Sequence, residues 1–175
     1  MRVFAVSDLH VDYESNRKFV SGLSDYDYRD DVLLVAGDVT HCLDQFASAF
    51  HEVTKKYRAV FFVPGNHDLW VRRNEAADSR EKFWQLRELC RVLNVMTTPM
   101  ELHGGNRRIG ILPLFSWYSR PEDGIDSLYL PSVGDDPALR GWGDTHLIRW
   151  KTEESGNMLD YFLFIQAQKV IQHIT

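Results

Sequence analysis

Three short polar clusters hold side chains that can do chemistry together. They are Asp8 and His10 in SDLH, Asp38 in AGDV, and Asn66, His67 and Asp68 in PGNHD. Aspartates brought close together repel one another and raise a pKa unless a cation lies between them. Carboxylate, imidazole and amide are oxygen and nitrogen donors, and no cysteine stands among them, so thiolate chemistry is not indicated. Such a set suits a divalent ion of the Mn, Fe or Zn class. Two ions about 3.5–4 Å apart, bridged by Asp38, can share a hydroxide nucleophile and clamp the attacking and leaving oxygens of a phosphoryl group. The chemistry indicated is phosphoester hydrolysis.

The elements that must position these residues are readable around them. VFAVS (3–7), VLLVAG (32–37) and AVFFVPG (59–65) are continuous apolar runs, the pattern of parallel strands covered on both faces. Each cluster follows one run. Asp38 lies 30 residues after Asp8, and Asn66 lies 28 after Asp38, about the length of one strand–helix–strand unit. The three clusters should therefore meet outside the carboxyl ends of one sheet, where open α/β sheets bind ligands. The intervening helices are expected in ESNRKFVSGLS and in HCLDQFASAFHEVTKKY, with Thr40 as N-cap of the second. A third helix is expected over about 79–93, capped by Asp78 with Glu81. Residues 95–118 read as short strands around an HGGN turn, 119–144 as a long surface excursion rich in Pro, Gly and Asp, and the tail as a final helix. No Gly-x-Gly-x-x-Gly loop follows any strand, which excludes a dinucleotide cradle.

Composition narrows the class. A chain of 175 residues with 44% apolar content is expected to be one globular domain, 1–175. No apolar run is long enough to span a membrane. A net charge of -5 gives no broad basic footprint for nucleic acid. Cys42 and Cys90 lack metal or redox spacing and read as thiols of a reducing, cytoplasmic compartment.

DLH, GDV and GNHD, in this order and each at a strand end, resemble the first three motifs of the calcineurin-like metallophosphoesterase family. The resemblance covers about residues 1–68. It implies an α/β fold, the calcineurin-like phosphoesterase fold, with a two-sheet β-sandwich flanked by helices. By the same resemblance Asp8 and His10 ligate one metal, Asp38 bridges two, and Asn66 binds the second through its side-chain oxygen. His67 then protonates the leaving oxygen or stabilises its charge, and Asp68 holds the His67 imidazole. The implied activity is hydrolysis of a phosphate monoester or diester by a metal-activated hydroxide, with two divalent ions as cofactors.

The family's later Gly-His and Gly-His-x-His motifs are absent. The first ion would keep Asp8, His10 and Asp38, while the second would keep only Asp38 and Asn66 and be weakened. The chain is accordingly expected to be C-terminally truncated relative to the family and incomplete in its C-terminal half. Its first sheet would be poorly covered and prone to self-association. The alternative reading is a catalytically weak or inactive form that binds metal, phosphate or a protein partner. GDTH (143–146) reads as a loop aspartate and a surface histidine rather than a substitute ligand pair. His173 reads as a helix-end residue, Arg72 and Arg73 as a solvated pair, PLFSWY (113–118) as core packing, and His41 as indirect support or exposed.

Overall fold

The computed structural model describes residues 1–72, 75–118, 132–134, 141–150, 158 and 160–166, with Arg107 described by its backbone alone. Strands β1 (Val3–Val6), β2 (Val32–Ala36) and β3 (Ala59–Val63) form a parallel sheet in the order β1-β2-β3. Val3 pairs with Val32 and Val32 with Ala59, so all three strands end level. Helix α1 (Glu14–Ser21) joins β1 to β2, and α2 (Leu43–Lys56) joins β2 to β3. Each apolar run thus ends in its polar cluster on one sheet edge.

Both faces of the sheet are covered because alternate residues face opposite ways. On one face Leu33, Val35, Val60 and Phe62 share a core with Phe46, Phe50 and Val53 of α2. The Phe62 ring centroid lies 5.0 Å from Phe46 and 5.2 Å from Phe50. Burying each of these rings contributes about 1.5–3 kcal/mol, which fixes the height at which α2 leaves the site loop. On the other face Val32, Ala59 and Phe61 pack against Leu102 of a second sheet. That sheet pairs β4 (Met100–Gly104) antiparallel with β5 (Arg107–Ile111) across a tight turn. Coverage thins toward β1, where Val3 is 41% exposed and Ala5 is exposed.

A 3₁₀ turn (η1, His67–Leu69) follows β3 and leads to helix α3 (Ser79–Val92). Asp78 caps α3 by accepting the Glu81 N–H at 2.7 Å, and Glu81 accepts the Ala77 N–H at 2.6 Å. Residues 160–166 are helical, and Phe162 (1% exposed) closes the core 5.2 Å from Phe83. A short helix α4 (Asp144–Leu147) is stitched to the segment after the 3₁₀ turn: Val71 N–H donates to Leu147 O at 2.8 Å, and Ser79 N–H to Arg149 O at 2.8 Å.

Two expected details differ. Thr40 does not cap α2, which starts at Leu43 without a side-chain cap. The Thr40 hydroxyl lies instead 2.7 Å from Asp12 Oδ1. Residues 112–118 carry no strand; Phe115 is buried against Phe83, and Tyr118 turns toward Asp144. No helix among the described residues is long and apolar enough to cross a membrane.

Candidate active site

The loops after β1 and β2 hold their acids in an uncommon backbone form. Asp8 (φ 54°), His10 (φ 39°) and Asp38 (φ 54°) all lie in the left-handed region, which costs of order 1 kcal/mol each for a residue with a Cβ. Backbone hydrogen bonds hold the loops there: Asp8 N–H to Gly37 O at 3.2 Å, His10 N–H to Asp38 O at 2.9 Å, and Val11 N–H to Val39 O at 2.9 Å. Glycine is required where the loops cross. A Cβ on Gly65 would fall 2.2 Å from Asp38 Oδ1, and Gly37 combines φ 79° with a Cβ position 2.6 Å from Gly65 N.

The outcome is a cluster of donor groups that could hold a metal ion. One donor atom from each of Asp8, His10 and Asp38 lies within 4.8 Å of the others. His10 Nε2 is 3.9 Å from Asp8 Oδ1. Two carboxylates and an imidazole at this spacing fit a divalent cation of the oxygen- and nitrogen-seeking class. Asp38 Oδ1 also accepts the His67 N–H at 3.0 Å, which ties β2's loop to β3's.

Asn66 stands at the neighbouring position with its amide already oriented. Its Nδ2 donates to both oxygens of Asp144, at 3.0 Å each. The carboxylate can only accept, so it takes the NH₂ end and leaves Oδ1 as the atom able to meet a cation. Asp144 is 3% exposed, which corrects the reading of it as a loose loop aspartate; His146 is exposed as expected. Asp144 also accepts Trp70 Nε1–H at 2.5 Å and the Tyr118 hydroxyl at 2.7 Å. Burial, reinforced by the Asp144 carboxylate, pushes the Tyr118 phenol upward.

His67 meets a different carboxylate from the one expected. Its Nε2 lies 2.9 Å from Asp12 Oδ2, both side chains being largely sheltered. Burial works against the ionised form of Asp12. Hydrogen bonds with Thr40 and His67 outweigh it and hold the Asp12 pKa below the ordinary carboxylate value. His41 completes the group: its Nδ1 is 3.2 Å from Asp12 Oδ1, without hydrogen-bond geometry, and its ring is 5.3 Å from that of His67. Burial lowers the His41 pKa against the opposing pull of Asp12. The His10 and His67 rings are 4.8 Å apart, so the dyad borders the ligand cluster.

Asp68, expected to hold His67, does something else. It is completely buried, and its oxygens accept four backbone N–H groups: Asp38 at 2.8 Å, Gly65 at 2.9 Å, Val39 at 2.8 Å and Thr40 at 3.0 Å. Burial pushes its carboxyl up to about 7 even though these donors favour the ionised form. Asp68 clamps the two loops that carry Asp38 and Asn66, and no contact with the His67 ring is among its bonds. The physical reason is the 3₁₀ turn, which aims adjacent side chains in different directions.

The remaining candidates fall into place around this group. Arg72 is exposed, with its guanidinium 5.3 Å over the Trp70 ring; Arg73 and His173 lie outside the described residues. His103 is exposed beside Glu101. Pro64, Gly65, Asn66, Ser116, Trp117 and Tyr118 line an open cleft of about 250 Å³ next to Asn66. Sequence reasoning passed over Asp12, although it follows His10 by two positions in the same loop, a signal that a third acid shares that site. Both cysteines are free, and burial pushes the Cys90 thiol up to about 12, which leaves it inert at neutral pH.

Comparison with known proteins supplies the wider setting. The family model for calcineurin-like phosphoesterases matches residues 1–163. A curated relative, the acyl-carrier-protein phosphodiesterase PptH of Mycobacterium tuberculosis, is 29% identical over 121 residues, 66% of this chain and 37% of the relative. The solved structure of phosphopantetheinyl hydrolase (PptH) from Mycobacterium tuberculosis matches with a TM-score of 0.71 and 22% identity, over 98% of this chain and 64% of that one. At that identity the structural likeness shows the fold alone. The chain spans little more than a third of the length of the curated relative.

Proposed function

The chain belongs to the calcineurin-like phosphoesterase family, and on that premise we propose that it is a metal-dependent phosphoesterase that cleaves a phosphate ester at the ends of β1, β2 and β3. The observation that carries this reading is the ligand cluster of Asp8, His10 and Asp38 bordered by the His67–Asp12 pair. Asp8, His10 and Asp38 would hold one divalent cation, of the Mn, Fe or Zn class, and Asp38 with Asn66 Oδ1 a second. Cations there supply Lewis-acid stabilisation of the phosphoryl oxygens and a water of lowered pKa. His67, held by Asp12 through one ring nitrogen, presents the other to the leaving oxygen and gives it a proton as the P–O bond breaks. Asp68 and the glycine crossing keep both loops rigid while this happens. A diester is favoured over a monoester because the curated relative is a phosphodiesterase. A cytoplasmic setting is supported by the two free thiols.

A leaving-group series tests the role of His67. His67→Ala should slow esters with alkyl alcohol leaving groups about 10²–10⁴-fold and p-nitrophenyl esters far less, since p-nitrophenolate departs without a proton. Equal slowing of both would refute proton donation by His67.

A second reading is favoured by one observation. In the assignment above the second cation would have only Asp38 and Asn66, and the other group of donors close enough to hold an ion, His10, Asp12 and His67, shares His10 with the first, so a chain that binds one cation and turns over weakly fits as well. Counting bound Mn²⁺ separates the two: two per chain with turnover supports the enzyme, one with no turnover supports the weak form. The thinly covered β1 edge, with Val3 and Ala5 exposed, supports self-association of this chain; a concentration-independent monomer in light scattering would remove that proposal.

A further inference from the structure

Asp144 is the acceptor on which three side chains from separate segments converge. Asn66 from the end of β3, Trp70 from the turn after it and Tyr118 from beyond β5 all donate to it, and it is 3% exposed. Its position is built in rather than incidental. Gly143 packs so closely on Trp70 that a Cβ there would fall 2.6 Å from the indole ring. The backbone bonds from Val71 to Leu147 and from Ser79 to Arg149 anchor the segment on either side. None of the roles given above to Asp8, His10, Asp38 or His67 uses this carboxylate.

We propose that Asp144 is a positioning residue that locks the Asn66 amide with Oδ1 turned to the cation, an inference that rests on reading Asn66 as a cation ligand. An unconstrained asparagine amide rotates, and half of its orientations aim NH₂ at the metal, which repels it. A carboxylate on the far side accepts only NH₂, so it selects the productive orientation before the cation arrives. Trp70 and Tyr118 in turn hold the carboxylate still, each occupying lone pairs that Asn66 does not use. Partners that orient a ligand in this way typically change metal affinity about 10–100-fold when removed. The sequence distance of 78 residues between Asn66 and Asp144 makes α4 part of the cation site although it supplies no ligand of its own.

Mn²⁺ binding to the full chain, followed by isothermal titration with the bound ion counted directly, tests this. Asn66→Ala defines the binding step that depends on Asn66. Asp144→Asn should weaken that step about tenfold or more, whereas Tyr118→Phe, which leaves the Asp144–Asn66 contact intact, should stay within about threefold. The double variant Asn66→Ala/Asp144→Asn should bind no more weakly than Asn66→Ala, because a residue acting through Asn66 has nothing left to position. A purely structural Asp144 would give additive losses, which overturns the inference, as would wild-type affinity in Asp144→Asn. A wild-type chain that binds no Mn²⁺ overturns the site assignment itself and the inference with it. A measurement on the wild-type protein alone covers the case in which Asp144→Asn does not fold. The Asn66 side-chain amide protons, observed by ¹⁵N-edited NMR, should exchange slowly with solvent, and fast exchange overturns the lock.

Discussion

Replacing Asp68 by asparagine should cost stability rather than chemistry. The substitution keeps the shape but turns one acceptor oxygen into an NH₂ group. Whichever way the amide sits, two backbone donors lose their acceptor: Asp38 and Gly65 at Oδ2, or Val39 and Thr40 at Oδ1. A buried donor left unsatisfied costs about 1–3 kcal/mol, so two should cost about 2–6 kcal/mol. The loss is trimmed because a neutral amide escapes the burial penalty that raises the Asp68 carboxyl to about 7. A net loss of about 2–4 kcal/mol follows, which for a chain of this size lowers Tm by about 5–15 °C. The assay is a circular-dichroism melt of metal-free protein, so that cation binding does not enter, with Asp12→Asn as the control. Asp12→Asn should fall by less, about 1–2 kcal/mol, since its partners Thr40 and His67 are side chains that can turn to other partners, whereas backbone N–H groups cannot. An Asp68→Asn protein that melts with the wild type would refute the clamp.

Other expectations follow from the same geometry. Asp12→Asn should lower kcat about 10–100-fold on an alkyl phosphodiester through loss of a charge-assisted hydrogen bond worth about 1.5–3 kcal/mol, with KM nearly unchanged and p-nitrophenyl esters slowed far less, as steady-state kinetics on the two substrates would read. Lys82 is fully buried, and its ammonium donates to His41 O, to Trp70 O at 2.7 Å and to Glu75 at 3.1 Å, tying together the two segments beside His67; Lys82→Met should destabilise the fold by about 2–4 kcal/mol in denaturant melts. At the far end of the sheet Arg2 donates to Asp31 and holds its carboxyl below the ordinary value. A depressed carboxylate pKa stabilises the fold above its unfolded value near 4 and loses that contribution as pH falls through the folded value. The Tm deficit of Asp31→Asn should therefore be present at pH 7 and shrink below about pH 4.

The strands and the meeting of their ends were legible because continuous Val, Leu and Phe runs have few alternatives to a buried parallel sheet. The convergence of Asp8, Asp38 and Asn66 followed from that, since each stands directly after a run, with His10 two residues beyond Asp8; the ligand roles came from the family resemblance. Roles set by side-chain direction were not legible. Asp68 is adjacent to His67 in the chain, yet η1 sends it inward to four N–H groups while Asp12 arrives from another loop. Thr40 had the residue type of a cap, but its hydroxyl donates to Asp12 and accepts only the Cys42 N–H, ahead of the first turn of α2. Asp144 looked like one more polar residue in a Gly- and Pro-rich stretch, because its burial depends on Trp70 and Tyr118, whose approach no local pattern encodes.

Metal dependence of hydrolysis tests the central claim most directly. The chain is stripped with a chelator, assayed on bis(p-nitrophenyl) phosphate, and assayed again as Mn²⁺ is restored. The expected result is no turnover in the stripped protein, recovery that tracks bound Mn²⁺, and no recovery in Asp38→Asn. Turnover that survives chelation, or recovery in Asp38→Asn equal to the wild type, would contradict the assignment of this site.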